Sequence, residues 1–308
     1  MTEVMTHRER FEAAVRGQEV DRPPISMWRH FFAEEQSVKG LSQAMLDFQD
    51  RYDWDYMKFN PRASYHVEDW GVKLRYSDDR QPEVTETPVK SPEDWTRIET
   101  LHPEEGVLGD HLKALEMVAQ QSAGKIPILA TVFTPFSIAS RLTTSDDAFM
   151  RDVREYPEKV AYALEVVTET FVRYAKACMD RGADGLFYAT TVWSNAEKMS
   201  REEYGMVARP TDIALLQKLG QGGTHMLHVC KNNNYLDVVA DYPVQIFNWD
   251  TRGSGNPSLS EGKLLVKDRA VAGGIPHTND LVQGKPEVIA DEVRKIRAEM
   301  GLEGWLLG

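Results

Sequence analysis

The chain has 308 residues, of which 42% are hydrophobic and 27% charged. That is enough apolar material for a sizeable core, and it excludes a wholly disordered chain. Thirty-six Lys and Arg against 48 Asp and Glu leave a formal net charge of −12, which argues against a nucleic-acid groove but leaves room for a local basic pocket. No apolar run approaches the ~20 residues of a membrane span, and the charged start MTEVMTHRERFE has no signal-peptide core. Two cysteines, Cys178 and Cys230, make no disulfide framework, so the expected location is the cytoplasm.

Short β-prone apolar runs alternate with longer amphipathic stretches. A capping-box pattern, Thr6 to Glu9, opens a first helix. Strands are expected at 23–31 (PPISMWRHF) and 55–60 (DYMKFN). The span 61–125 then holds WGVKLRYSDD and PEVTETPVK, read as a small antiparallel excursion outside the main sheet. A third strand at 126–133 precedes a helix over 157–181, which begins at Pro157 and carries Val160, Leu164, Val167, Phe171 and Ala175 at helical spacing. A fourth strand covers 185–191, a second capping box runs from Ser200 to Glu203, and further strands are expected at 224–230 and 243–249. The turn-rich start of 250–268 reads as a loop before a short helix. Strand seven at 269–275 leads to a helix opened by Pro286 and Glu287, with Val288, Ile289, Val293 and Ile296 on its apolar side, and strand eight is 304–308.

Nearly continuous apolar strands alternating with helices mean a parallel sheet covered by helices. Eight of them predict one (β/α)8 TIM barrel domain over 1–308, with a small antiparallel excursion between strands two and three. No segment follows strand eight to supply the helix that ordinarily covers strands eight and one. A shortened chain or a homodimer contact is the expected explanation.

In this architecture chemistry sits at the C-terminal ends of the strands. The rule selects Arg29 and His30, Asn60 and Arg62, Thr134, then Thr190, Thr191 and Trp193. It continues with His228, Cys230 and Asn232, with Asn248, Trp249 and Asp250, and with His277 and Asn279. The most specific pair is His228-Val-Cys230, because residues two apart on a strand face the same way. Imidazole and thiolate are ligands zinc prefers, but a catalytic zinc needs three protein donors; Asp250 or His277 is the candidate third. The other reading of the pair is ordinary core packing. Arg29 is placed to clamp a carboxylate or phosphate, or to pair with a barrel carboxylate. Trp28, Trp193 and Trp249 are placed to wall a flat apolar ligand or to pack the rim.

The pieces RERFEAAVRGQEVDRPPISMWRHF, DWDYMKFNPRASYHVEDWG, RGADGLFYATT, HMLHVC, DYPVQIFNWD, AVAGGI and GWLLG together resemble the uroporphyrinogen decarboxylase superfamily. That superfamily also holds zinc methyltransferases drawing methyl groups from corrinoid proteins, and its fold is a (β/α)8 barrel. Decarboxylases of this kind carry two arginines after strand one and an aspartate at the end of strand two. Here Arg29 matches the first arginine, His30-Phe31-Phe32-Ala33 stands where the second is sought, and Asn60-Pro61 stands near the aspartate position. The methyltransferase branch carries His-x-Cys on strand five, matched by His228 and Cys230, and a further cysteine that would fall just beyond Gly308.

The resemblance thus implies zinc-dependent methyl transfer from a corrinoid carrier protein to a thiol. His228 and Cys230 are then metal ligands and Asn232 or Asp250 orienters. The alternative is metal-free decarboxylation of an acidic tetrapyrrole or other carboxylate, with Arg29 and Arg62 gripping carboxylates and His30 or His277 supplying protons. A third reading is a barrel that binds a tetrapyrrole or corrinoid without turnover. Across these readings Arg29, His30, Asn60 and Asp250 are the expected catalytic residues. Arg62, Thr190, Thr191, Trp193, Asn232, Asn248, Trp249 and His277 are the expected substrate contacts.

Overall fold

Each apolar run becomes a parallel strand because both of its faces are covered, one by the barrel interior and one by a helix. The computed structural model describes residues 4–220, 222–276, 281 and 284–308. Along the chain come α1 (His7–Val15), α2 (Val38–Tyr52), β1 (Met57–Phe59), α3 (Tyr65–Glu68), β2 (Lys73–Arg75), β3 (Glu83–Glu86), a 3-10 turn at Pro92–Arg97, α4 (Gly106–Ser122) and β4 (Ile128–Phe133). There follow α5 (Pro135–Ser140), α6 (Asp146–Glu155), α7 (Pro157–Asp180), β5 (Gly185–Ala189), α8 (Arg201–Val207), α9 (Arg209–Leu219), β6 (Met226–Val229) and α10 (Leu236–Val239). The described elements end with β7 (Ile246–Trp249), α11 (Leu259–Val266), β8 (Ala270–Gly273), α12 (Pro286–Met300) and β9 (Trp305–Leu307).

Seven strands form one parallel sheet in the order β1-β4-β5-β6-β7-β8-β9. The eighth position belongs to the segment expected as a full strand at 23–31, but it contributes a single parallel bridge, Ile25 to Leu307. On one side Leu307 N–H donates to the Pro24 carbonyl at 2.8 Å and Ser26 N–H to the Leu307 carbonyl at 3.3 Å; on the other, Asp55 N–H donates to the Ile25 carbonyl at 2.9 Å. The curled sheet is thereby joined edge to edge. Pro23 and Pro24 carry no N–H, which confines the segment to a bridge where a full strand was expected.

A buried ion cluster fastens this seam. Asp55, fully buried, accepts from Arg10 Nη1 at 2.6 Å, Arg22 Nη1 at 2.5 Å, His7 Nδ1 at 2.9 Å and Ile25 N–H at 2.8 Å. Burial alone would push the Asp55 carboxyl up. The bonds from Arg22, His7 and Ile25 outweigh it and hold the group below the usual carboxylate range.

Inside the ring Phe11 of α1 packs with Tyr56, Leu129, Met226, Ile246 and Leu306, so the interior has a solid apolar floor. Outside it, Phe59, Val132, Leu186 and Val229 meet the helices. The expected antiparallel excursion is the exposed pair β2–β3.

The Thr6–Glu9 capping box is complete, whereas at Ser200 only the first half forms, with Glu203 N–H donating to the hydroxyl. Helix α7 buries Val160, Leu164, Val167, Phe171, Ala175 and Cys178, as its spacing requires. In α12 only Ile296 is buried, and Val288 stays at the surface. Among the described residues no helix is long and apolar enough to cross a membrane.

Candidate active site

Above the apolar floor the C-terminal ends of the strands enclose a cavity of about 600 Å³. Two residue pairs enter it from different strands by the same rule of alternation. His228 on β6 and Cys230 just after it face inward, as do Lys58 on β1 and Asn60 after it. Between the pairs stands Phe187 of β5. Its ring stacks on the His228 imidazole at 5.1 Å and lies 4.7 Å from Lys58 Nζ.

The position of one His228 hydrogen follows from its neighbour. Asn248 gives its amide N–H to the Ala272 carbonyl at 3.0 Å, and that carbonyl can only accept. The Asn248 Oδ1 is therefore the atom 2.5 Å from His228 Nδ1, and Nδ1 must carry the hydrogen. In the neutral form of the ring the lone pair is then on Nε2. Burial holds the Cys230 thiol above its ordinary pKa, and the neighbouring Lys231 only partly offsets this.

The donors match zinc in chemistry. They do not match it in number: among the described residues no group of three His, Cys, Asp or Glu side chains could hold a metal ion. Asp250, a sequence candidate for third donor, does not complete such a group; its Oδ1 accepts from Arg252 N–H at 3.0 Å. His277, the other candidate, and Asn279 lie outside the described residues.

The cavity wall is cationic in a chain of net charge −12. Arg29, Lys58, Arg62, Arg141 and Lys231 line it, and among the described lining residues there is no carboxylate. Arg62 is neutralised by Glu68, with contacts of 3.0 Å and 2.6 Å. Arg29, Arg141 and Lys231 form no ion pair among the described residues. Lys58 is buried, and burial pushes its ammonium down to about 7. Burial likewise holds the wall residue His66 down to about 3. His30 reaches the cavity with Nδ1 held 3.1 Å from Glu35, whose other oxygen accepts from Ala63 N–H at 2.8 Å.

The family model for uroporphyrinogen decarboxylase (URO-D) matches residues 6–307. The chain belongs to the URO-D family. It is similar to methylcobamide:CoM methyltransferase MtbA of Methanosarcina acetivorans, 24% identical over 320 residues that cover 96% of this chain and 90% of the relative. It is also similar to the uroporphyrinogen decarboxylase of Carboxydothermus hydrogenoformans, 26% identical over 241 residues covering 76% and 66%. A solved methyltransferase structure from Methanosarcina mazei superposes with a TM-score of 0.80 at 22% identity over 99% of this chain and 93% of that one, which shows a common fold.

Within this URO-D barrel Arg29, His30, Asn60, Arg62, Thr191, His228 and Cys230 line one cavity, as their strand-end positions imply. Thr191 reaches it from a left-handed backbone (φ 52°), its hydroxyl donating to Ser137 at 2.9 Å. Asn248 does not line the cavity and touches it only through its contact with His228.

Four more expected substrate contacts do not line this cavity. Thr190 is buried, with its hydroxyl 2.5 Å from that of Ser194. Trp193 is buried in the helix layer and donates to Ser140 at 3.0 Å. Trp249 alternates with the inward Asn248, so it faces the helices and donates to the Pro257 carbonyl at 2.8 Å. Asn232 is tied to the 250s loop, accepting from Ser254 N–H at 3.1 Å. Arg62, expected to grip substrate, is already bound by Glu68.

Lys58 and Glu35 were not singled out from the sequence. The signal for Lys58 was present: a lone charge inside the apolar run DYMKFN, in a strand that parallel packing buries on both faces.

Proposed function

We propose that this URO-D-family chain transfers a methyl group at the barrel mouth, from a methylated corrinoid carried by a partner protein to a small anionic thiol. The observation that carries the proposal is the convergence of His228 and Cys230 on one cavity, with Asn248 fixing the imidazole tautomer. In this reading His228 and Cys230 would hold a zinc ion at the mouth. Zinc, when bound, supplies a Lewis acid that lets a thiol lose its proton near neutral pH.

The chain's own residues do the rest. Asn248 keeps His228 oriented. Arg29 and Arg141 attract the acceptor's negative end, the more strongly because no carboxylate lies among the described lining residues. Phe187, Trp28 and Phe133 supply apolar wall that keeps water from the reacting atoms.

A second reading, decarboxylation of an acidic substrate, is favoured by the same cationic wall. Asn60 and Pro61 offer no charge with which to organise a porphyrinogen's pyrrole N–H groups.

The discriminating experiment incubates zinc-reconstituted protein with methylcobalamin and mercaptoacetate and follows the cobalamin spectrum. Loss of the methylcobalamin bands with formation of the thioether, abolished in Cys230→Ala, is the expected result. No thioether, together with carbon dioxide release from uroporphyrinogen that Cys230→Ala leaves intact, would establish the second reading instead.

A further inference from the structure

The pair opposite His228 and Cys230 has chemistry of its own. Lys58 Nζ donates to Asn60 Oδ1, lies 4.7 Å from the centre of the Phe187 ring and 5.7 Å from that of Trp28, and opens on the cavity. An ammonium has three hydrogens to place. Here a single side-chain oxygen accepts a hydrogen bond from it, and the Asn60 Nδ2, also buried, has no hydrogen-bond partner among the described residues. Two buried polar residues of the cavity lining thus keep bonding capacity in hand, which marks a place built for a ligand.

We propose that Lys58 is the base of the mouth, its amine taking the acceptor's proton as the methyl group is transferred. This rests on the methyl-transfer reading above. The sulfur–hydrogen bond of the acceptor breaks, its proton passing to Nζ and its electron pair forming the new sulfur–carbon bond. The cobalt–carbon bond of the corrinoid breaks with its pair left on cobalt, and the Lys58 ammonium later gives its proton to solvent.

Burial favours the uncharged amine that Lys58 needs beforehand, and no carboxylate on the described wall opposes it. Its own strand offers neutral Asn60, the closing segment Trp28, and β5 Phe187. The charged groups on the described wall, Arg29, Arg62, Arg141 and Lys231, are all cationic. Once formed, the ammonium is met by Asn60 Oδ1 and by the two aromatic faces, which attract a cation.

The test has two arms on the full-length chain. In the first, acetic anhydride competes for lysines across a pH series, and peptide mass spectrometry reads each residue. Lys58 is expected to react with a midpoint near pH 7, and a midpoint shared with surface lysines, about pH 10, would overturn the proposal. In the second, methylcobalamin and mercaptoacetate are the substrates. Lys58→Arg and Lys58→Met are expected to lose about 100-fold or more in kcat/KM and the acidic limb of its pH profile, with zinc content unchanged. Wild-type transfer matched by Lys58→Arg in rate and pH profile would overturn Lys58 alone. A wild type that transfers no methyl group would overturn the underlying reading and this proposal with it.

Discussion

His228 and Asn248 sit directly opposite each other in the register of β6 and β7, with Nδ1 and Oδ1 2.5 Å apart. Because the Asn248 amide is itself anchored on the Ala272 carbonyl, three adjacent strands fix one ring. Removing the outer partner of a ligating histidine ordinarily costs about 10–100-fold in metal affinity. Asn248→Ala is expected to bind zinc weaker by that factor, measured by competition with a chromogenic chelator. Unchanged affinity would mean that Asn248 does not set the ring's orientation.

The cationic wall makes a separate expectation about the acceptor. Arg29 and Arg141 carry no ion pair among the described residues, whereas Arg62 is engaged by Glu68. Arg29→Ala and Arg141→Ala should each raise KM for an anionic thiol about tenfold, the loss of one modest charge-assisted bond, and KM should climb with ionic strength in the wild type. Arg62→Ala should act mainly through the position of the loop after β1. Equal KM values for charged and uncharged thiols would count against an anion-selective mouth.

The seam of the barrel depends on Asp55. Asp55→Asn leaves the buried Arg10 facing a neutral amide. Taking one partner from a buried pair costs about 3–5 kcal/mol, so the denaturant midpoint should fall markedly. The folded carboxyl lies below its unfolded value, so its contribution is present above the ordinary carboxylate range and is lost as pH falls through the folded value. The gap between wild type and variant should therefore shrink in acid.

Asp212 gives the opposite sign. Burial pushes its carboxyl up to about 7, although Tyr204 and Tyr242 donate to it at 2.9 Å and 3.2 Å. The folded state thus holds a proton that the unfolded state, with a carboxyl near 4, has released. Stability falls as pH rises from about 4 to about 7 and is level above that. Asp212→Asn keeps an acceptor for both hydroxyls and removes the charge. Its melting temperature should exceed that of the wild type by about 3 °C or more at pH 8, with the difference closing toward pH 4. A constant difference across that range would show that Asp212 does not titrate in it.

How far the sequence disclosed all this can be seen residue by residue. The strands were legible because parallel sheets write nearly continuous apolar runs, and His228 with Cys230 was legible because alternation puts residues two apart on one face. The same alternation was not carried through at β7. If Asn248 faces the interior, Trp249 cannot, yet both stood as substrate contacts. Strand-end position gives height in the barrel but not direction, and so Thr190 and Trp193 were also misplaced. The closing segment was read as a whole strand from its apolar composition, although Pro23 and Pro24 already denied it the donors. Lys58 was hidden by its surroundings, since the apolar residues that made the run a strand also drew attention from the charge within it. Glu35 could not be read from local pattern, because its partners Phe31, His30 and Ala63 meet only in the fold.

The measurement that bears most directly on the account is zinc-edge X-ray absorption on reconstituted protein, with metal stoichiometry determined alongside. The account expects about one zinc per chain, with sulfur at about 2.3 Å and nitrogen at about 2.0–2.1 Å, and loss of the respective shell in Cys230→Ala and His228→Ala. Less than about a tenth of an equivalent of zinc, or a metal whose shells are the same in both variants, would contradict it.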